Sequence, residues 1–157
     1  MIKVSTKSYA EHYSYLWHDG GKNYVASNFN YKKFHEEMLN PNCVFFSIQD
    51  ALRPVGLIKL NIDSATDKFT AALALELERI YLIKDASGRG FGKGAMTFVV
   101  NFAKAKSKKI VWLKAMDSSP AVEFYKKSGF VITGETNLNY PQIRAGFQRM
   151  FLMQLTL

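Results

Sequence analysis

Four glycines alternate through Ser87-Gly88-Arg89-Gly90-Phe91-Gly92-Lys93-Gly94, a spacing suited to holding an anion. Without Cβ atoms the backbone turns tightly and comes close to a ligand, so successive N–H groups can converge on one point. The next segment, Ala95 to Lys104, has apolar residues at helical spacing, and its N-terminus would bring a positive dipole end to the same place. Phosphate is the natural occupant. A Walker loop is excluded, because Gly88 and Gly92 enclose three residues and Lys93 is followed by Gly94 rather than a hydroxyl residue. The dinucleotide pattern is met formally by Gly90-x-Gly92-x-x-Ala95, but Lys109 to Lys114 lacks the acidic residue expected about 20 positions on.

A second group sits just upstream. In Ala74-Leu75-Glu76-Leu77-Glu78 the alternation puts both leucines on one strand face and both carboxylates on the other. Either glutamate could serve as a base, directly or through a water, and either could equally be ordinary solvent-facing polarity. Repulsion between them would raise the pKa of one. Cys43 opens a strand with no glycine elbow beside it, which suits a buried inert thiol. His12, His18 and His35 form no His-x-x-x-His pair, so no metal is expected. Trp17, Tyr31, Tyr81 and Tyr140 could wall a substrate site or fill a core.

Composition narrows the class. A chain of 157 residues, 48% hydrophobic and 14% aromatic, can close one sizeable core, and no Pro/Gly/Ser-rich linker divides it, so a single domain over 1–157 is expected. The single cysteine, the lack of a long apolar run and the polar start Met1-Ile2-Lys3-Val4-Ser5 point to a cytoplasmic chain with no membrane partner. The net charge of +8 attracts anions. Its densest run, Lys104 to Lys109, reads first as a helix C-terminus, and otherwise as a contact to a ligand phosphate or nucleic acid; without an evident recognition helix, nucleic acid is not expected.

The elements that must position these groups follow from periodicity. Residues 1–5 alternate like a strand, Tyr9 to Trp17 form a helical stripe broken by Asp19-Gly20-Gly21, and Tyr31 to Leu39 form a helix stopped by Asn40-Pro41. Strands are expected over about 43–49, 54–62 and 69–82, then a helix over about 92–106 and a strand over 109–115. Ser119 as N-cap and Pro120 as first residue open a helix that Gly129 closes, and strands over about 130–137 and 147–156 finish the chain. This order gives an α+β fold with a mixed sheet. Apolar residues in Gly146 to Met153 leave room for an edge-to-edge homodimer beside the monomer.

Taken together, "SGRGFGKG" and the later Ala121-Val122-Glu123-Phe124-Tyr125-Lys126-Lys127-Ser128-Gly129-Phe130 resemble the GCN5-related N-acetyltransferase (GNAT) family over roughly residues 54 to 157. The resemblance implies a mostly antiparallel central sheet flanked by helices and acetyl-CoA as co-substrate. It also implies a primary amine acceptor, a polyamine or other small amine first and a protein N-terminus or lysine second, attacking in a ternary complex. Ser87, Gly88, Arg89, Gly90, Phe91, Gly92, Lys93 and Gly94 then match the pyrophosphate cradle, with Ser87 where the family usually carries Gln or Arg. Ser118 stands where Asn commonly precedes the second motif. Family spacing favours Glu76 as base, with Glu78 attracting the amine. A backbone N–H near Leu82 and Ile83 would stabilise the oxyanion, and Tyr125 would protonate the departing thiolate. The wording Leu77-Glu78-Arg79-Ile80-Tyr81 is similar to the polyamine acetyltransferase-like branch. The alternatives are a coenzyme-binding sensor without catalysis and a basic nucleic-acid-binding protein acting through Lys104, Lys106, Lys108 and Lys109.

Overall fold

Six strands, β1 (Cys43–Asp50), β2 (Arg53–Asn61), β3 (Ala74–Leu82), β4 (Ile110–Met116), β5 (Val131–Asn137) and β6 (Arg149–Thr156), form one sheet in the order β1-β2-β3-β4-β6-β5 in a computed structural model describing residues 1–157. Helices α1 (Ile2–Tyr13), α2 (Lys22–Asn28) and α3 (Tyr31–Leu39) precede the sheet, while α4 (Phe91–Ala105) and α5 (Ala121–Lys127) lie between strands. Every neighbouring pair is antiparallel except β3 and β4, which the α4 crossover makes parallel. The α+β class with a mixed, mostly antiparallel sheet is therefore the fold observed.

Each sheet face has its own core. Leu75, Leu77, Val111 and Leu113 pack with Met96, Val99 and Tyr125 on the α4/α5 face. Tyr9, Leu16, Trp17, Phe29 and Phe34 pack with Leu57 and Met116 on the face covered by the N-terminal helices. Burying such side chains contributes about 1.5–3 kcal/mol each, which fixes both helical layers against the strands.

The structure departs from expectation in four places. Residues 2–5 belong to α1 rather than a strand: the helix buries Ser5, Ser8 and Tyr9, and two of those inward positions are small hydroxyls that hide the apolar period. Helix α2 follows the Asp19-Gly20-Gly21 break, where the Asp19 carboxylate accepts from the Gly21 and Asn23 amides, each at 2.9 Å, and Gly21 takes φ +84°. Strand β3 starts at Ala74 instead of Phe69, because Lys108, only 5% exposed, pairs with Asp63 and donates to the Ala71 and Ala72 carbonyls, anchoring that loop. Lys108 thus leaves the solvent-facing basic run. Finally, β6 lies between β4 and β5, so the residue 146–153 segment is no free edge; the outer strands are β1 and β5. No helix is long and apolar enough to cross a membrane.

Candidate active site

The parallel pair comes apart. β3 and β4 are in register only at Ala74–Ile110, Leu75–Val111 and Glu76–Trp112; beyond these, β3 follows β2 to Leu82 and β4 follows β6 to Met116. A bulge sharpens the divergence. Lys59 faces Arg79 while Leu60 faces Leu77, leaving Glu78 as the extra residue. Bulges re-aim side chains and increase twist. Here Glu78 and Arg79 are turned together toward the N-terminal helices, and Ile80 takes the α4/α5 face that Leu75 and Leu77 occupied.

On the groove side of the split a space of about 730 Å³ runs between the glycine loop, α1 and the start of α5, within the range of ligand sites, about 300–1,000 Å³. Ser87, Gly88, Gly90, Gly92 and Lys93 line it, with Leu82 and Lys84 beside them. Gly88 and Gly90 take φ +75° and +88°, left-handed values that disfavour a Cβ, and each faces open space. Gly90 precedes α4 with no side-chain cap, and the first ladder bond runs from the Gly94 N–H to the Gly90 carbonyl at 3.0 Å. The amides of Phe91, Gly92 and Lys93 therefore remain unpaired at a positive helix end. That cradle fits a pyrophosphate. Arg89 is turned out of it: its guanidinium pairs with Asp50 at 2.9 Å and sits over Phe91. Phe91, Gly94 and Ile83 contribute backbone or packing rather than groove wall, and Ile83 N–H is spent on the Val55 carbonyl.

That last bond orients Leu82. Leu82 faces Gly56 in a non-hydrogen-bonded pair, so its N–H and C=O point away from β2 into the split. The carbonyl accepts from Ser8 Oγ at 2.8 Å and from His12 Nε2 at 3.1 Å, which makes Nε2 the protonated nitrogen. The N–H leaves the strand on that same side, and Leu82 lines the groove. Tyr125 stands on the other side, buried, lining both spaces, with burial and then the nearby Tyr13 pushing its phenol well above the ordinary value.

The inner cavity, about 120 Å³, lies between Leu77–Tyr81 and Lys114–Met116 under Tyr9, Tyr13 and Tyr24. Glu78 lines it; Glu76, opposite Trp112 at the closed end of the split, does not. Glu76 instead accepts from Asn61 at 2.9 Å and Ser64 at 3.2 Å. Glu78 contacts Lys59 at 2.6 Å, Asn61 at 2.8 Å and Arg79 at 3.3 Å. Burial alone would push the Glu78 carboxyl up, but the Lys59 hydrogen bond and the Arg79 and Lys59 charges outweigh it and hold it below the usual range. For Glu78 the upward shift expected from carboxylate repulsion is thus reversed, because Lys59 and Arg79 contact it directly, while the neutral Asn61 amide is what it shares with Glu76. Behind them Glu37 of α3 binds Arg79 at both guanidinium nitrogens, 2.9 and 3.0 Å, and Lys59 at 2.9 Å.

Residues 7–130 match the family model described as the acetyltransferase (GNAT) family. The chain belongs to that family. It is 29% identical over 107 residues to an uncharacterized N-acetyltransferase in the pepI 3′ region of Lactobacillus delbrueckii subsp. lactis, covering 68% of this chain and 62% of that protein. A second relative, an uncharacterized N-acetyltransferase of Methanocaldococcus jannaschii, is 28% identical over 88 residues, or 55% of this chain and 38% of its own. The chain thus spans less than two thirds of these curated relatives. Among solved structures, PaiA N-acetyltransferase of Thermoplasma acidophilum in complex with coenzyme A superposes with TM-score 0.78 at 18% identity, over 99% of this chain and 90% of that one. Spermidine N-acetyltransferase SpeG of Vibrio cholerae, in an N152L form, gives 0.64 at 18% over 80% and 70%. At these identities the likeness concerns the fold.

Within this GNAT fold several groove and cavity residues carry no sequence motif. Ser8, His12 and Tyr13 come from α1, whose inward face was obscured by its serines. Ser119, 9% exposed, lines both spaces and its Oγ accepts from the Ala121 amide, whereas Ser118 is exposed and meets the Tyr15 hydroxyl at 3.1 Å. The α5 helix accordingly begins at Ala121, one residue after Pro120. Of the expected aromatic wall, Tyr81 lines the cavity, Trp17 is core, Tyr140 packs on Trp17 and Tyr24, and Tyr31 is 75% exposed against His35. Cys43 is buried and its thiol is pushed up by burial, as suits an unreactive side chain.

Proposed function

We propose that this chain is an acetyl-CoA-dependent N-acetyltransferase that acetylates a small primary amine by direct transfer in a ternary complex. The observation that carries the reading is the meeting of the two spaces: Tyr125, Tyr13, Ile80, Tyr81, Ser119 and Ala121 line both the groove and the cavity. A thioester delivered along the groove meets an amine held in the cavity only at that junction.

Acetyl-CoA supplies an activated acetyl thioester. The unpaired amides of Phe91, Gly92 and Lys93 hold its pyrophosphate, with Lys84 and Lys93 adding positive charge along the groove. The Leu82 N–H donates to the acetyl oxygen as negative charge grows there. The aromatic cavity disfavours a charged amine, and Glu78, or a water on it, accepts the proton the amine loses. Tyr125, kept protonated by burial, donates to the leaving sulfur. Glu76 braces Asn61 and thereby Glu78. A cytoplasmic setting agrees with the lone buried thiol of Cys43.

The test is thiol release from acetyl-CoA by the purified protein across polyamines, arylalkylamines, amino acids, aminoglycosides and N-terminal peptides. Amine-dependent release establishes the transferase. Saturable coenzyme binding with no release from any amine overturns it in favour of a coenzyme sensor.

A further inference from the structure

The acceptor cavity is narrow, tyrosine-walled and without an unpaired carboxylate in its wall, and from this we infer that the acceptor is a compact arylalkyl monoamine rather than a polyamine or a peptide. The inference rests on the transferase reading above and deepens it.

Enclosure comes first. The segment between β5 and β6 crosses over the cavity and is fastened to the residues after α1: Arg144 N–H donates to the Leu16 carbonyl at 2.8 Å, His18 N–H to Gln142 at 2.9 Å, and Ile143 bridges Trp17. Leu138 of that segment forms part of the cavity wall. A peptide acceptor needs an open trough to admit its chain, and this roof narrows the space on that side. The cavity volume, about 120 Å³, holds on the order of four to eight water-sized groups, which suits a ring and a short aminoalkyl arm.

The wall is aromatic. Tyr9 and Tyr24 stack at 4.8 Å, Tyr24 stacks on Trp17 at 5.0 Å, and Tyr81 meets Tyr9 edge-on at 6.2 Å. Trp17 Nε1 donates to the Tyr9 hydroxyl at 3.1 Å, so the rings are fixed before any ligand arrives. Burial raises the Tyr9 and Tyr81 phenols far above the ordinary value and Tyr24 to about 12, so these hydroxyls are neutral at physiological pH and supply no counter-charge. Rings so arranged favour a flat apolar body by offset or edge contacts.

Charge decides against a polycation. Glu78 is the single carboxylate in the cavity wall, and its charge is taken up by Lys59 and Arg79. Glu37, behind it, is taken up by the same two cations. Lys114 on the facing wall has no acidic partner and lies over Trp112. Two carboxylates therefore face three cations. A second or third ammonium on the acceptor would be placed beside positive charge with no unpaired carboxylate in the wall to meet it, an unfavourable arrangement.

The experiment compares kcat/KM for benzylamine, phenethylamine and tyramine with that for spermidine and an N-terminal peptide, in the wild type and in Lys114→Glu. The best arylalkylamine should exceed spermidine by about tenfold or more, and Lys114→Glu should raise spermidine relative to that amine by a similar factor. Spermidine or the peptide matching or surpassing every arylalkylamine in the wild type overturns the inference while leaving the transferase intact. If no amine supports release, calorimetry with coenzyme A present separates the two: binding of an arylalkylamine but not spermidine upholds the cavity assignment, and binding of neither or of spermidine alone overturns it.

Discussion

The groove and the cavity meet at Tyr125 yet are built by opposite means. The groove's anion site is backbone: two left-handed glycines and the unpaired amides at the start of α4, with no side-chain cap. The cavity is side chain: five tyrosines, a roof and a buried ion network that runs from Glu37 through Lys59 and Arg79 to Glu78. A backbone site suits a ligand part common to many enzymes, because amides recognise phosphate whatever else the ligand carries. A side-chain site can be changed residue by residue, and the proposed function puts acceptor choice there. Substitutions in the two regions should accordingly fail in different ways.

The largest expected effect is on the cavity's foundation. Glu37, with its side chain 10% exposed, compensates both Arg79 and Lys59, which are 7% and 6% exposed. Glu37→Ala leaves these cations short of counter-charge and should lower unfolding free energy by about 3–5 kcal/mol, measured by urea denaturation. A loss below about 1 kcal/mol would place the pair among weak surface bridges and remove the network from the cavity's support.

Next comes the junction. Tyr125→Phe keeps the packing against Phe124 and Phe130 and removes only the proton donor, so kcat should fall by about a hundredfold or more with the coenzyme dissociation constant unchanged. Since burial raises the Tyr125 phenol, the wild-type rate profile should show no descending limb up to about pH 10. A wild-type turnover number for the phenylalanine variant would return Tyr125 to the core.

Gly90→Ala tests the groove alone. A left-handed residue other than glycine costs about 1–2 kcal/mol, and the strain falls where the amides converge. Coenzyme binding should weaken about tenfold, by calorimetry, while arylalkylamine selectivity stays as in the wild type. A change of selectivity without loss of coenzyme affinity would dissolve the division between the two regions.

A smaller effect belongs to pH. The folded Glu78 carboxyl titrates below its unfolded value, so its contribution to stability is complete above the unfolded carboxylate pKa, about 4.3, and is lost as pH falls through the lower folded value. The wild type's stability margin over Glu78→Gln should be level between pH 7 and about 5 and shrink in more acid solution. Urea midpoints measured across that range check the sign: a margin that grows on acidification would mean that burial, not Lys59, governs the group.

The same division explains what could be read beforehand. Glycine loops and the Phe124-Tyr125 to Gly129-Phe130 stretch encode backbone geometry in local residue types, so the cradle, the sheet and the α4 and α5 helices were legible from sequence alone. The cavity depends on register and long-range pairing, which leave no local mark. The bulge at Glu78 turns Glu78 and Arg79 the same way, an event that strict alternation cannot foretell. Lys59 and Glu37 meet across elements far apart in the chain. The serines that seat α1 on the sheet count as polar in any periodicity, so the helix carrying Ser8, His12 and Tyr13 reads as a strand at its start.

Arg89 offers the finest discrimination, because side-chain and backbone readings of the loop differ there by a single residue. As a phosphate ligand it would be among the strongest cations available, and Arg89→Ala would weaken coenzyme binding about as much as Gly90→Ala. Its guanidinium is instead committed to Asp50 at 2.9 Å and stacked over Phe91, outside the groove wall. The cation it contributes is thereby offset by a neighbouring acid, and the proposed holding falls to the amides. Arg89→Ala should change the coenzyme dissociation constant by less than about twofold at physiological salt, where the ordinary Debye length is about 8 Å. Lys93→Ala, which removes a cation from the groove itself, should weaken it more and in a salt-dependent way. Reversal of that order, with Arg89 the more costly loss, would mean that the arginine leaves Asp50 to reach the ligand and that the anion site is only in part a property of the backbone.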